Sequence, residues 1–213
     1  MTLPNDSHVS GSTTFATHLI GGKEYPVGLS ADAEGRIRGS LPTFGLFVPP
    51  AAVGASKVFF DLHNGMASGV LRLRKLFAVV ATDVAITGTL GVRVDVLRTS
   101  SVGTGGTAAT TTTSASKTAP GFWAFDAVTA LPSGITARTI PTGGATDEQY
   151  YFPAYIFTEE TNAASQMSQW FNLLPELSTE QTMELPVGKG LKIVQGTVAG
   201  AGNIGFLIVF SVE

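Results

Sequence analysis

The chain has no cysteine, which rules out disulfides and any thiolate zinc site. That fits a protein made and assembled in a cytoplasm. Charge is also scarce: Asp, Glu, Lys and Arg make up 14% of the residues, against about 25% in an average soluble domain. Nor is the charge one-sided. A net charge of −3 leaves no basic footprint for nucleic acid. No apolar run approaches the roughly 20 residues that a spanning helix needs, and the late strand-like runs lack the polar alternation of a membrane barrel, so no membrane partner is expected. The opening MTLPNDSHVSGSTTF has neither a basic start nor an apolar core, so no secretory leader is expected there.

Catalytic patterns are missing too. Gly103-Thr104-Gly105-Gly106 lacks the Lys-Ser/Thr of a phosphate loop, and Pro186-Val187-Gly188-Lys189-Gly190 is followed by a strand pattern rather than a helix. There is no Gly-x-Ser-x-Gly elbow. Asp147-Glu148 and Glu159-Glu160 are adjacent carboxylates, which point to opposite sides of a strand and cannot face each other across a cleft. His8 and His18 stand apart from any nucleophile. Asp61 and His63 would share a strand face, but two ligands without an identifiable third do not make a metal site, and a turn at His63-Asn64-Gly65 is the simpler reading. The expectation is a protein with no catalytic residues, no metal and no cofactor, hence not an enzyme.

What the chain does have is β-type texture. Leu191–Gln195 and Ile204–Val212 are rich in β-branched and aromatic residues, with Gly196, Gly200, Gly202 and Asn203 as turn residues between them. The last of these runs is apolar on both faces, which predicts a central strand covered on both sides. Further strands are expected at Lys57–Leu62, Val70–Val80, Thr89–Thr99, Gly134–Ile140 and Gln149–Thr158, with Pro153 demoting the last towards an edge. Alternation along Thr89–Thr99 puts Val92, Val94 and Val96 on one face and Arg93 and Asp95 on the other. Gly103–Thr118 is low-complexity and reads as an exposed loop. Thr161–Leu174 reads as a helix, because Met167, Trp170, Phe171 and Leu174 follow a helical period before Pro175.

These patterns predict an all-β fold: a jelly-roll-like β-sandwich of about seven or eight strands over residues 51–213, preceded by an extended arm over residues 1–50. Within the arm, Gly21-Gly22 between two alternating runs predicts a small hairpin, and Pro49-Pro50 is read as its end. Tyr25, Val27, Ile37, Phe44 and Phe47 are too apolar to stay in water on so thin a segment, which makes them the expected partner-docking residues. Trp123, Tyr150 and Tyr151 are the concentrated aromatics that a surface-recognition role would use, although packing explains them more simply. Arg72 and Arg74 are expected in cross-strand or inter-subunit pairs. Mean hydropathy of +0.26 with so little charge calls for burial against other copies, so a homo-oligomer is expected, with a trimer favoured.

A resemblance sharpens this. It is carried by Glu24-Tyr25-Pro26-Val27, by Gly35-Arg36-Ile37-Arg38-Gly39-Ser40-Leu41-Pro42-Thr43-Phe44 and by Phe60-Asp61-Leu62-His63-Asn64. Also part of it are Arg98-Thr99-Ser100-Ser101-Val102-Gly103-Thr104-Gly105-Gly106-Thr107, Phe157-Thr158-Glu159-Glu160-Thr161-Asn162 and Gly190-Leu191-Lys192-Ile193-Val194-Gln195-Gly196 with Gly202-Asn203-Ile204-Gly205-Phe206. Together these segments resemble a group of tailed-bacteriophage virion structural proteins, found beside capsid and head-decoration components. His63 departs from the apolar residue expected at its place. The resemblance implies a non-enzymatic, multi-copy particle component, on the head surface, neck or tail, located in the virion after assembly in the host cytoplasm; a decoration or head-fibre role is the favoured expectation. Its implied partners are itself and other virion proteins such as the major capsid protein. The alternative is a phage tail or surface adhesin that binds host glycan.

Overall fold

The computed structural model describes residues 41–81, 91–111, 119–142, 145–157, 168–174 and 183–213, together with the backbone of five strands between residues 8 and 38. The chain divides into two units, Met1–Leu41 and Pro42–Glu213. The first holds β1 (His8–Ser10), β2 (Thr13–Ile20), β3 (Lys23–Val27), β4 (Ser30–Ala31) and β5 (Ile37–Arg38). β1, β2 and β3 pair antiparallel, with Ile20 opposite Lys23, and the turn expected at Gly21-Gly22 lies outside the described residues. β4 pairs with β5.

The second unit is a β-sandwich. Its strands are β6 (Thr43–Ala52), β7 (Val58–Asn64), β8 (Leu71–Ala81), β9 (Gly91–Thr99), β10 (Thr107–Ala108), β11 (Thr110–Thr111) and β12 (Gly121–Ala124). They continue with β13 (Ile135–Thr139), β14 (Asp147–Phe157), β15 (Ser168–Asn172), β16 (Glu184–Leu185), β17 (Lys189–Gln195) and β18 (Asn203–Val212). Sheet I runs β10-β13-β7-β17-β9-β14, and sheet II runs β11-β12-β6-β18-β8-β15 with β16 also on β8. Apart from β11 and β12, no two neighbours in these sheets are consecutive in the chain. β6, β7, β8 and β9 fall alternately in sheet II and sheet I. Such crossing connectivity marks a Greek-key type of sandwich, the group to which jelly rolls belong, rather than an up-and-down meander.

Alternation decides what enters the core. Val92, Val94 and Val96 are buried while Arg93 is exposed and Asp95 partly so, as the pattern predicts. In sheet II the inner residues are Phe44, Leu46 and Val48 of β6, Leu76, Ala78 and Val80 of β8, and Phe206, Ile208 and Phe210 of β18. A bulge then does what alternation cannot. Ile193 of β17 pairs with Phe60 and Val194 with Val58, so Phe59 is an extra residue and both phenylalanines reach the core. Each ring lies 5.3 Å from that of Phe206, which ties sheet I to sheet II.

Three expectations need correction. The boundary at residues 50 and 51 falls inside β6, and Pro49-Pro50 does not end the chain run. β18 steps from Ile204 opposite Ala51 to Phe206 opposite Val48, so the two prolines face the single Gly205 at a bulge where no ladder N–H is needed. A Cβ on Gly205 would come within 2.8 Å of the Val48 carbonyl, so only glycine lets the prolines in. Second, the described part of the expected helix is β15: Ser168–Asn172 pairs with Ala81–Phe77 along the edge of β8. A short aromatic run fits either period, and the open backbone of β8 selects the strand. Residues 161–167 lie outside the described residues. Third, the Gly-rich segment is partly built into sheets: Thr107 pairs with Thr139 and Thr110 with Gly121. Residues 112–118 lie outside the description.

Candidate functional site

The outer face of sheet II is apolar. Leu207 of β18 sits between Phe47 of β6 and Phe77 of β8, and Val209 between Gly45 and Lys75. Trp123 pairs with Gly45 from the other side. Phe47, Phe77, Val79, Leu207 and Trp123 are partly exposed, and Val209 is buried. Gly45 is what lets the tryptophan lie down: a Cβ there would stand 2.1 Å from the indole. The ring of Phe125, itself exposed, is 6.1 Å from that of Trp123. At one end of this face Glu213 pairs with Arg72 (2.7 Å) and Arg74 (3.4 Å), and Glu184 pairs with Arg72 (3.2 Å). These are the cross-strand pairs expected of the two arginines, and at such exposure each contributes about 0–1 kcal/mol.

Of the expected docking residues, Phe47 lies on this face, whereas Phe44 is in the core and stacks on Phe210 at 5.8 Å. Phe44 is therefore no docking residue; inward alternation on β6 buries it. Tyr25 and Val27 lie on β3 and Ile37 on β5, with their side chains outside the described residues.

The outer face of sheet I is polar. Asp61 of β7 stands between Arg138 of β13 and Lys192 of β17. Loops close over the row: Arg138 donates to the Gly105 carbonyl at 3.0 Å, and Lys192 donates to the Ala145 carbonyl at 2.9 Å and pairs with Asp147. Asp61 is 1% exposed, and among the described residues neither of its oxygens meets a donor in good geometry. Burial pushes its carboxyl above the usual carboxylate value, against the opposing pull of the Gly103 N–H, the Arg138 and Lys192 charges and the Arg138 N–H. Because the value is raised, the folded protein holds this proton more tightly than the unfolded chain. The linked stability is present in acid and is lost as pH rises through the raised value. Asp61→Asn, which removes the buried charge at constant shape, is expected to melt above the natural chain at pH 7. That gain should fade in acid near the ordinary carboxylate value of about 4. Thermal melts at the two pH values check this. A lower melting temperature for Asp61→Asn at pH 7 would show that the flanking cations outweigh burial.

His63 shares this face because β7 runs on through Asn64 instead of turning at His63. Burial lowers its pKa, against a backbone hydrogen bond at Gly188. Among the described residues no three His, Asp or Glu side chains gather where a metal ion could be held, and no helix is long and apolar enough to cross a membrane. Asn64, read from the sequence as a turn residue, is fully buried. Its Nδ2 donates to the Leu185 and Gly69 carbonyls at 2.8 and 3.2 Å, and its Oδ1 accepts from the Met66 N–H at 3.1 Å.

β14 forms an edge of sheet I, paired to β9. Two register shifts make Glu148 and Tyr151 extra residues on it. Glu148 holds Lys189 and, at 3.3 Å, Arg98. Tyr151 packs partly against the core, and burial pushes its phenol pKa up. Tyr150 pairs with Leu97, its side chain outside the described residues. Beyond these, Phe152, Ala154 and Ile156 turn to the core while Pro153, Tyr155 and Phe157 turn out. Tyr155 and Phe157 are 60% and 61% exposed. Sequence reasoning passed over both, although the alternation after Pro153 would have shown aromatics on the solvent face of an edge strand. Compared with protein families, curated proteins and solved structures, the chain matches none, so its sites are read from their own geometry.

Proposed function

We propose that this chain is a non-enzymatic structural component of a bacteriophage particle, assembling as a symmetric homo-oligomer and docking on the capsid in a decoration or head-fibre role. The observation that carries the assembly part is the outer face of sheet II. An antiparallel sheet that faced water would show polar residues there. This one presents Phe47, Phe77, Leu207 and Trp123, framed by the Arg72, Arg74 and Glu213 ion pairs, as oligomer interfaces do with an apolar centre and a polar rim. The low charge of the chain supports the same reading. The particle setting is supported by the sequence resemblance, and in this reading the N-terminal unit with Tyr25, Val27 and Ile37 reaches a neighbour.

Light scattering on the full chain at micromolar concentration is expected to give a trimer. Leu207→Gln and Phe47→Ser are each expected to shift it towards monomer while circular dichroism keeps the β spectrum. A stable monomer for the natural chain overturns the assembly reading. Absence of the protein from purified particles overturns the virion setting alone.

A further inference from the structure

We infer that the β9–β10 and β13–β14 loops form a cover over Asp61 that is shut while its carboxyl carries a proton and opens when the carboxyl ionises. This concerns sheet I and does not rest on the assembly reading, which concerns sheet II.

The way the cover is held is the first support. The two loops bond to each other. Thr142 N–H donates to the Thr104 carbonyl at 3.0 Å, Ser100 N–H to the Thr146 carbonyl at 3.0 Å, and Thr146 N–H to Ser101 Oγ at 2.8 Å. Two side chains tie them to the sheet below: Arg138 reaches the Gly105 carbonyl, and Lys192 reaches the Ala145 carbonyl and Asp147. These are the two residues that stand on either side of Asp61 in the ladder, where Cβ atoms lie about 4.5–5.5 Å apart. Both cations are within reach of the carboxyl, yet both are engaged with a loop, and neither Asp61 oxygen has a well-formed donor among the described residues.

That arrangement suits a protonated carboxyl and not an ionised one, because a charge at 1% exposure needs either partners or water. Turning Arg138 and Lys192 towards Asp61 would supply partners, and it would withdraw the bonds that hold the loops down. Admitting water would lift the loops directly. Ionisation therefore opens the cover by either route. Burial already holds the Asp61 carboxyl above its usual value, so opening is expected above about pH 4.

The root of the cover is strained. Ile140, where β13 passes into its loop, has a φ of 47°, a left-handed conformation that a β-branched residue rarely adopts. Its N–H is held by the Phe59 carbonyl at 2.9 Å, and Gly106 backs its carbonyl so closely that a Cβ would stand 2.6 Å away. Strain of this kind persists only while the surroundings impose it, which favours release once the loops let go.

Neither loop carries a titratable side chain of its own. Among the described residues the groups that face Asp61 are Arg138 from β13, Lys192 from β17 with Asp147 beyond it, and His63 two residues on along β7. His63 is therefore the control.

Hydrogen exchange on the full chain from pH 4 to pH 8, corrected for the intrinsic pH dependence of exchange, tests the inference. One proton linked to opening changes the open-to-shut ratio by up to about tenfold per pH unit. Protection of the Gly103, Thr142 and Thr146 amides is expected to fall at least about tenfold over that range, while the amides of β18 stay protected. Asp61→Asn, which cannot ionise, is expected to keep the loops protected throughout, and His63→Gln to follow the natural chain. Arg138→Met, which removes one tie at a partly exposed position, is expected to loosen residues 103–106 already at pH 4. Loops equally protected, or equally unprotected, at both ends of the range overturn the proposal. So does a fall that survives Asp61→Asn, one that disappears in His63→Gln, or one that the β18 amides share, since that would be loosening of the whole sandwich. Should Asp61→Asn fail to fold, unchanged protection in Arg138→Met at pH 4 overturns it as well.

Discussion

Ile208→Asp is expected to abolish folding of the sandwich. Ile208 is 0% exposed and sits in register between Leu46 of β6 and Leu76 of β8, on the middle strand of sheet II. Its neighbours on the inner face, Phe206 and Phe210, are apolar and fully buried. The side chains beside it in that row, Leu46 and Leu76, offer no donor to a carboxylate, so the new group would be buried either charged or protonated without a partner among the described residues. Either state costs several kcal/mol, and a charged one more. A domain has about 5–15 kcal/mol of net stability to lose. Ile208→Val, which deletes one methyl group at the same place, should cost only about 0.5–1.5 kcal/mol and serves as the control. Expression, circular dichroism and a thermal melt check this. Soluble Ile208→Asp protein with a normal melt would mean that β18 is peripheral, against the pairing on both its edges.

That strand was the most legible part of the chain, for a physical reason. A run apolar at nearly every position from Ile204 to Val212 can be satisfied only between two strands with cover above and below, and β18 has β6 and β8 beside it. Features that depend on a distant partner were not legible. Pro49-Pro50 reads as a break until Gly205, far along the chain, is seen to receive it. Misreading the prolines also placed Phe44 and Phe47 in an arm, when the same alternation sends one into the core and the other to the outer face. Trp170-Phe171 satisfies a helical period on its own and becomes a strand because β8 offers an edge. Asn64 does carry the turn chemistry that the sequence suggests, its Oδ1 accepting from the Met66 N–H, but its burial depends on the Leu185 carbonyl of β16, far along the chain. The aromatic candidates divide on the same ground. Trp123 lies on the outer face of sheet II by virtue of Gly45, and Tyr151 is turned partly inward by a bulge that no local pattern announces.

Phe206→Ala tests the join between the sheets. Phe206 is fully buried, and its ring meets Phe59 and Phe60 at interplanar angles of 59° and 54°, within the range of favourable tilted aromatic pairs. It meets both only because the bulge at Phe59 turns two successive residues inward. Truncation removes the ring and leaves a cavity that two packed sheets cannot close without shifting a ladder. A cost of about 3–5 kcal/mol is expected. For a domain of this size each kcal/mol moves the melting temperature by about 2–4 °C, so the midpoint should fall by roughly 6–20 °C. Phe206→Leu, which keeps most of the volume, should fall by much less. A double-mutant cycle with Phe59→Leu should return a coupling of about 0.5–1.5 kcal/mol for that ring pair. If Phe206→Ala melts within about 3 °C of the natural chain, a loss near 1 kcal/mol, then the ring is not what holds the two sheets together.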